Sequence, residues 1–132
     1  KRHSILELIR QPINIFNKND HIAYALEALK TGLEKDFLVK NEDGTIAGVF
    51  SQPEILEMAK SIPTSSHKKH IVEEFISPVE EVVYPSDTLH IFYKKLMSQE
   101  LRILPVFENE NLIGVVDIQQ LNDFLRVEYE MK

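Results

Sequence analysis

Two predicted helix starts are the places where this sequence could bind a small molecule. At the first, Ser51 is followed three residues later by Glu54, at the start of a predicted helix over residues 52–60. A helix start presents unpartnered backbone N–H groups and the positive end of the helix dipole, and a carboxylate there can accept paired hydrogen bonds from neighbouring hydroxyl groups. The same spacing also predicts a capping box, in which Ser51 and Glu54 satisfy the helix's own N–H groups without a ligand.

The second helix start carries Asp117 and Gln120 in the matching positions. A capping box explains this pair as well. A carboxylate there would repel a phosphate a few ångströms away by about 4 kcal/mol at an effective dielectric constant near 20. We therefore expect this start to bind nothing, or something uncharged or cationic. Phosphate should also bind poorly at the first start, because Pro53 lacks a backbone N–H.

No arrangement of residues predicts catalysis or a metal site. The chain has no cysteine and only four glycines, and it contains no phosphate-cradling glycine loop. No serine with a plausible histidine partner lies at an activating turn. His67 and His70 lack a third metal ligand, and we interpret the basic segment around them as a solvated linker. We expect no catalytic residue and no required cofactor.

The sequence repeats itself, and the repeat predicts how these residues are positioned. A shift of 67 positions (87 minus 20) places Asp20 on Asp87 and Leu29 on Leu96. After one residue is lost from a loop, Gly48 falls on Gly114. Further matched pairs are Ile5 with Val72, Ile9 with Ile76, Lys35 with Arg102, and Val39 with Val106. Such self-similarity indicates two copies of one structural unit.

Each copy predicts the order strand, helix, strand, strand, helix. The strands are rich in β-branched and aromatic residues, and the helices have apolar residues at three- and four-residue spacing. Asn19 or Asp20 should cap the first helix of the first copy, and Ser86 or Asp87 that of the second. The predicted elements are strands 13–16, 37–40 and 46–50 with helices 22–29 and 52–60, then strands 82–84, 103–107 and 112–116 with helices 89–96 and 118–126.

The copies are predicted to form one module of the α/β (α+β) class. Residues 61–70 contain Pro63 and several serine, threonine and basic residues, which is typical of a linker. One copy is too short to bury a stable core alone, so the two βαββα repeats should pack together around a pseudo-twofold axis. The predicted boundaries are 1–66 for the first repeat with the start of the linker, and 67–132 for the second.

Composition excludes several classes of partner. The net charge of −6 argues against nucleic acid, which selects a basic face. No apolar stretch approaches the roughly 20 residues of a bilayer crossing, so we expect no direct membrane insertion. Because the chain begins with Lys1 rather than Met, we expect a piece of a larger host protein, located in the cytoplasm or at the cytoplasmic face of a membrane host.

Two motifs in this order resemble the tandem CBS (cystathionine β-synthase-type) domain pair, also called a Bateman module. The run Arg102-Ile103-Leu104-Pro105-Val106-Phe107 resembles the family's strand with a basic residue and Leu-Pro-Val, and Leu112-Ile113-Gly114-Val115-Val116 resembles the strand that enters its last helix. Residues 37–39 and 46–50 echo them in the first copy. The resemblance covers nearly the whole chain.

The resemblance implies a ligand site in a cleft between the repeats. In the family, a Gly-apolar-apolar-Ser/Thr-x-x-Asp stretch holds the ribose of an adenosine-containing ligand. Here Ser51 matches the hydroxyl and Glu54 replaces the Asp. By the same resemblance Arg102 would contact the ligand's phosphates, although a surface ion pair explains it equally well. The remaining implied residues are Val82, Val83 and Tyr84 for the base, and Ile15, Lys35, Asp117 and Gln120 for a second, less favoured cleft.

The resemblance implies a regulatory role and not an enzyme. The leading hypothesis is a module that senses AMP, ADP, ATP or S-adenosylmethionine and controls an attached or partner domain. The alternative is an association module without a ligand, in which exposed helices form a homodimer.

Overall fold

The computed structural model describes residues 3–130, which form nine main elements and three short 3₁₀ helices. The main elements are β1 (Ile15–Asn17), α1 (Ile22–Thr31), β2 (Asp36–Lys40), β3 (Ile46–Ser51), α2 (Gln52–Ser61), α3 (Leu89–Gln99), β4 (Ile103–Glu108), β5 (Asn111–Asp117) and α4 (Ile118–Glu130). The 3₁₀ helices are Ile5–Leu8, Thr64–Lys69 and Val72–Phe75. The mixed α and β class is confirmed, as are both predicted hairpins and all four predicted α-helices.

One compact unit consists of residues Ile13–Val79. Its sheet has the order β1-β2-β3, with β1 parallel and β3 antiparallel to β2. Strand β2 is buried along most of its length, and its Phe37 and Val39 belong to one core cluster with residues of α1 and α2. The core is built from three fully or almost fully buried phenylalanines and aliphatic residues of both helices, including Phe16, Phe37, Phe50, Ile22 and Ile55.

The other compact unit consists of residues 3–12 and 80–130. Strands β4 and β5 form its hairpin, and Val83 forms an isolated parallel bridge with Val106. Helices α3 and α4 contribute Phe92, Leu96 and Leu121 to the buried residues. Both strands are nearly continuous apolar sequences, and four consecutive residues of each strand are buried.

Each unit is completed by a short segment from the beginning of the other sequence copy. In the unit of residues 13–79, the N–H of Ile22 donates to the backbone carbonyl of His70, and the N–H of Val72 donates to the backbone carbonyl of Asp20. In the other unit, the same two bonds recur 67 positions away: Leu89 donates to His3, and Ile5 donates to Asp87. The compact units and the sequence copies are therefore two different divisions of the chain.

The repeated glycines allow these segments to approach the sheet. Val49 and Ser77 exchange two backbone hydrogen bonds of 2.9 Å, and a side chain at the adjacent Gly48 would collide with the Ser77 carbonyl oxygen. Similarly, Arg10 pairs with Val115, and a Cβ at Gly114 would lie 2.7 Å from the Arg10 carbonyl oxygen. Only glycine fits where two backbones come this close.

Two predicted strands are shorter than the sequence indicated. The strand over residues 82–84 is wrong as a strand, since only the Val83 bridge forms. Its flanking polar groups bind side chains instead: the Val82 carbonyl accepts from Lys95 and the Tyr84 N–H donates to Asp87. The strand predicted from residue 13 begins at Ile15, because the carboxylate of Glu34 accepts the two preceding backbone N–H groups.

The predicted caps of α1 and α3 are wrong by one or two residues. His21 occupies the N-cap of α1, and among the described residues its side chain makes no capping bond. Asp20 instead accepts from the N–H of Asn17. Thr88 caps α3 by accepting from the N–H of Ile91, because Asp87 is already bound to Tyr84 and Lys95. Competing tertiary contacts thus move both caps.

The segment interpreted as a solvated linker is partly structured. Residues Thr64–Lys69 form a 3₁₀ helix, and His67 is only 7% exposed. A ring nitrogen of His67, Nε2, lies 2.9 Å from the carbonyl oxygen of Ile62. This contact gives a buried ring a polar partner, so the histidine packs as part of the unit instead of facing solvent.

Candidate ligand-binding residues

The start of α2 carries Ser51 and Glu54, as predicted, but not the predicted capping box. Ser51 is the last residue of β3, is 3% exposed, and has an extended backbone. Within the part of the chain that the structure describes, its hydroxyl accepts no capping bond from α2. Pro53 removes one of the two N–H groups that an N-cap side chain normally binds. Glu54 lies in the exposed first turn of the helix.

The basic residues that precede β2 and β4 each accept a hydrogen bond, through the backbone carbonyl, from the first residue of a helix. Gln52, the first residue of α2, donates its N–H to the carbonyl of Lys35 at 2.7 Å. Ile118, the first residue of α4, donates its N–H to the carbonyl of Arg102 at 2.8 Å. These bonds occupy an N–H group that an anion at the helix start would otherwise use. Lys35 is exposed and Arg102 is half-buried.

The start of α4 contains the predicted capping box. The Gln120 N–H donates to Oδ1 of Asp117 at 2.8 Å, and the Asp117 N–H donates to Oε1 of Gln120 at 3.1 Å. The amide of Gln120 also donates to the carbonyl of Leu8 at 2.6 Å. Oδ2 of Asp117 accepts from Nη2 of Arg10 at 2.9 Å and from its Nε at 3.2 Å. Asp117 is therefore neutralised by a cation of its own unit.

The segment around Val83, assigned to the base of a ligand by the resemblance, is fixed by α3. Val83 is fully buried, whereas Tyr84 is 49% exposed. Nζ of Lys95 donates to the Val82 carbonyl and to Asp87, both at 2.9 Å, and lies 4.9 Å from the centroid of the Tyr84 ring. Lys95 thus holds the backbone of this segment, and the segment exposes one aromatic side chain, that of Tyr84.

The carboxyl groups with lowered pKa values lie away from these helix starts. Hydrogen bonds from the side chain and backbone of Thr45 lower the pKa of Asp43 in the β2–β3 turn. The hydrogen bond with His70, followed by that from the Ile71 N–H, lowers the pKa of Glu74. Both groups stabilise local backbone structure. No three His, Asp or Glu residues between positions 3 and 130 lie together as a possible metal site.

The predicted site residues fall into two groups. In the unit of residues 13–79, Ser51 and Glu54 lie at one end of α2 beside Lys35, and Ile15 pairs with Leu38 in the sheet. The other unit contains Arg102, Asp117 and Gln120 at the start of α4, with the segment of Val82, Val83 and Tyr84 bridged to β4. The sequence repeat located both helix starts, but only the start of α4 forms the predicted capping box.

Sequence reasoning missed Arg10 and Lys95. Arg10 has no matching charge in the repeat, because the position 67 residues later is Ser77. A signal was nevertheless present, since the matched pair Ile9 and Ile76 indicated that the flanking segments repeat as well. Lys95 lies on the helix face below the segment of Val82, a relationship that only the three-dimensional structure reveals.

No helix of residues 3–130 has the length and apolar character to cross a membrane.

Comparison with known proteins identifies the fold. The CBS domain model matches residues 72–126. A putative signal-transduction protein with CBS domains from Burkholderia ambifaria superposes with a TM-score of 0.78 at 22% identity, covering 96% of this chain and 95% of that one. A CBS-domain containing protein from Agrobacterium tumefaciens gives 0.75 at 17% identity, with coverages of 90% and 88%.

A third similar structure contains ligands. The CBS domain pair of protein MJ0100, in complex with 5′-methylthioadenosine and S-adenosyl-L-methionine, superposes with a TM-score of 0.75 at 13% identity, covering 97% of this chain and 99% of that one. At such identities the similarity demonstrates a shared fold. No curated protein matches the sequence.

Proposed function

We propose that this chain is a tandem pair of CBS domains and serves as a regulatory module that senses an adenosine-type ligand and controls an attached or partner domain. CBS domain proteins generally serve regulation or signal transduction, and we assign no catalytic step to this one. The proposal includes attachment to a larger host protein and a location in the cytoplasm or at the cytoplasmic face of a membrane.

The observation that carries the proposal is the unused capping position of Ser51. Its hydroxyl lies at the end of a buried strand and is not committed to α2, while the carboxylate of Glu54 is one helical turn away. A ribose has two neighbouring hydroxyl groups, which can donate to a carboxylate and pair with a serine hydroxyl. The adenosine-type ligands of the similar MJ0100 domain pair carry such a ribose, which supports this class of ligand.

The start of α2 favours the ribose over a phosphate. The Gln52 N–H is bound to the Lys35 carbonyl, and Pro53 has no N–H. Two of the groups that normally bind an anion at a helix start are thus removed. We assign the phosphate or the charged end of the ligand to Arg102, and the base to Val82, Val83 and Tyr84, as the family resemblance implies.

We propose no ligand for the second set, Ile15, Lys35, Asp117 and Gln120. Both oxygens of Asp117 accept hydrogen bonds, one from Gln120 and the other from Arg10. Gln120 is committed in turn to Asp117 and Leu8. A ligand at the start of α4 would have to displace the charged Arg10 from Asp117. Leaving the buried carboxylate without this partner would cost more free energy than the ligand's own contacts would contribute.

Thermal shift and calorimetry with AMP, ADP, ATP and S-adenosylmethionine test the function. A ligand that binds only the folded chain raises Tm in proportion to the logarithm of its concentration above Kd. Ser51→Ala should weaken binding with little change in the Tm of the free chain, because the hydroxyl caps nothing. The matched control is Ser61→Ala at the other end of α2, whose hydroxyl donates to Glu57. A flat response to all four ligands at millimolar concentration would refute the proposal.

A second candidate function is a homodimeric association module without a ligand. It is favoured by large apolar side chains left exposed on α4: Leu125 is 49% exposed, Val127 54% and Tyr129 82%. Leu125 and Tyr129 are four residues apart and share one face of α4, and exposed apolar residues on a shared face often mark an interface. Sedimentation should then show a dimer that Leu125→Glu dissociates. A monomer at every concentration from micromolar to hundreds of micromolar would contradict this function.

A further inference from the structure

We propose that Lys95 is a positioning residue that holds Tyr84 as a stacking platform for the base of the ligand. The inference rests on the proposed function and adds a residue that no sequence motif singled out. Nζ of Lys95 donates to the Val82 carbonyl and to Oδ2 of Asp87, both at 2.9 Å. The same ammonium group lies 4.9 Å from the centroid of the Tyr84 ring. Three partners therefore define where this cation lies.

The ring and the backbone of Tyr84 are held by one ion pair. The side chains of Lys95 and Asp87 are only 18% and 12% exposed, so solvent screens their attraction weakly. The carboxylate oxygen that accepts from Lys95 also accepts from the Tyr84 N–H at 3.0 Å. The ammonium attracts the ring face, and the carboxylate fixes the backbone beneath it. Removing Lys95 would release both constraints.

A second side chain of α3 holds the same segment one helical turn later. Oε1 of Gln99 accepts from the N–H groups of Glu80 and Glu81, and its Nε2 donates to the Glu81 carbonyl at 3.0 Å. Gln99 also donates to the carbonyl of Lys95. The residues before Val83 are thus fixed by side chains in place of a strand ladder. Such a segment has a defined position, although only Val83 of it bridges a strand.

The partly exposed side chain of Tyr84 suits an adenine base. Tyr84 remains 49% exposed although one face of its ring lies against Lys95. Aromatic stacking needs no particular hydrogen-bonding pattern, only a flat and accessible ring. A ring that is already held in place loses little conformational freedom when a ligand binds, so its contact contributes more to affinity.

The variant Lys95→Met tests the inference by calorimetric titration with AMP and with S-adenosylmethionine. Methionine retains an unbranched apolar side chain but removes the charge and both hydrogen bonds. We expect Kd for both ligands to rise roughly tenfold. Stacking also decreases the ultraviolet absorbance of adenine, and this decrease on binding should shrink. The matched control is Lys94→Met, an exposed neighbour whose removal should change neither readout.

The absorbance readout separates positioning from simple loss of stability. All titrations are made well below the Tm of each variant, and Tyr84→Leu provides a second test on an exposed side chain if Lys95→Met does not fold. Wild-type affinity and an unchanged absorbance decrease in either variant would overturn the inference while leaving the proposed function intact. A wild-type chain that binds neither AMP nor S-adenosylmethionine, and neither ADP nor ATP, would refute the proposed function and the inference with it.

Discussion

Arg10 and Asp117, which are 107 residues apart in the sequence, form a two-point contact at the start of α4. The guanidinium donates from Nη2 and Nε to one carboxylate oxygen, and the side chain of Asp117 is only 8% exposed. A carboxylate at a helix start without such a partner would be costly to bury. The contact explains how an acid can occupy a position where the matching residue of the first copy is a serine.

Arg10→Met should destabilise the fold. It leaves the buried Asp117 without the guanidinium, and because the Arg10 side chain is 26% exposed the expected loss is about 2 to 3 kcal/mol, below the range for a fully buried pair. Adding Asp117→Asn should recover part of this loss, since an amide is less costly to bury. Urea unfolding measures both variants. The control Lys18→Met breaks the surface pair with Glu73 and should cost less than about 1 kcal/mol. Equal losses for Arg10 and Lys18 would contradict the assignment.

Gly48→Ala and Gly114→Ala should each lower the free energy of unfolding by about 2 to 3 kcal/mol, because the new methyl group would force two paired backbones apart. Gly44→Ala is the control: nothing lies within 4 Å of its Cβ position, and only its φ of +87° carries strain, worth about 1 kcal/mol. Chemical denaturation of the three variants gives the ranking. If Gly44→Ala were the most harmful, close approach would not be the reason for the repeated glycines.

Thr88→Ala should cost about 1 kcal/mol, since the Thr88 hydroxyl accepts from the N–H of Ile91 at the start of α3. Ser86→Ala removes a hydroxyl two residues earlier, at one of the two positions, Ser86 and Asp87, that the sequence predicted as the cap. It should change stability by less than about 0.5 kcal/mol. Thermal unfolding of both variants distinguishes the two positions, and a larger effect at Ser86 would restore the sequence-based assignment.

Glu74→Gln should matter at neutral pH and cease to matter in acid. The pKa of Glu74 is lowered by its hydrogen bond with His70, so its contribution to stability is present above the ordinary carboxyl pKa of 4.5 and disappears as the pH falls through the lower value in the folded chain. Urea midpoints of wild type and variant should therefore differ at about pH 7 and converge near pH 3. A difference that persisted in acid would require another cause, because protonated glutamic acid and glutamine then carry the same charge.

Much of the candidate site could be predicted from sequence because its spacing is local. Ser51 and Glu54, like Asp117 and Gln120, lie on a single helix start, and the repeat located both starts. What these residues do there was harder to predict. The same capping pattern is used at Asp117 and unused at Ser51, since Pro53 deletes a donor on one helix and Arg10 supplies a partner on the other. The ends of two strands were predicted wrongly for a related reason: Glu34 and Lys95 bind backbone groups that would otherwise form hydrogen bonds between strands.

The sequence by itself determined the two copies, the order of their helices and strands, and the family they resemble, because periodicity and turn chemistry act over a few residues. Only the tertiary structure decided which flanking segment completes which unit, and with it the roles of Arg10 and Lys95. Such contacts join residues that are close in space but not at any fixed spacing along the chain. Their energy depends on burial and geometry, which no local pattern encodes.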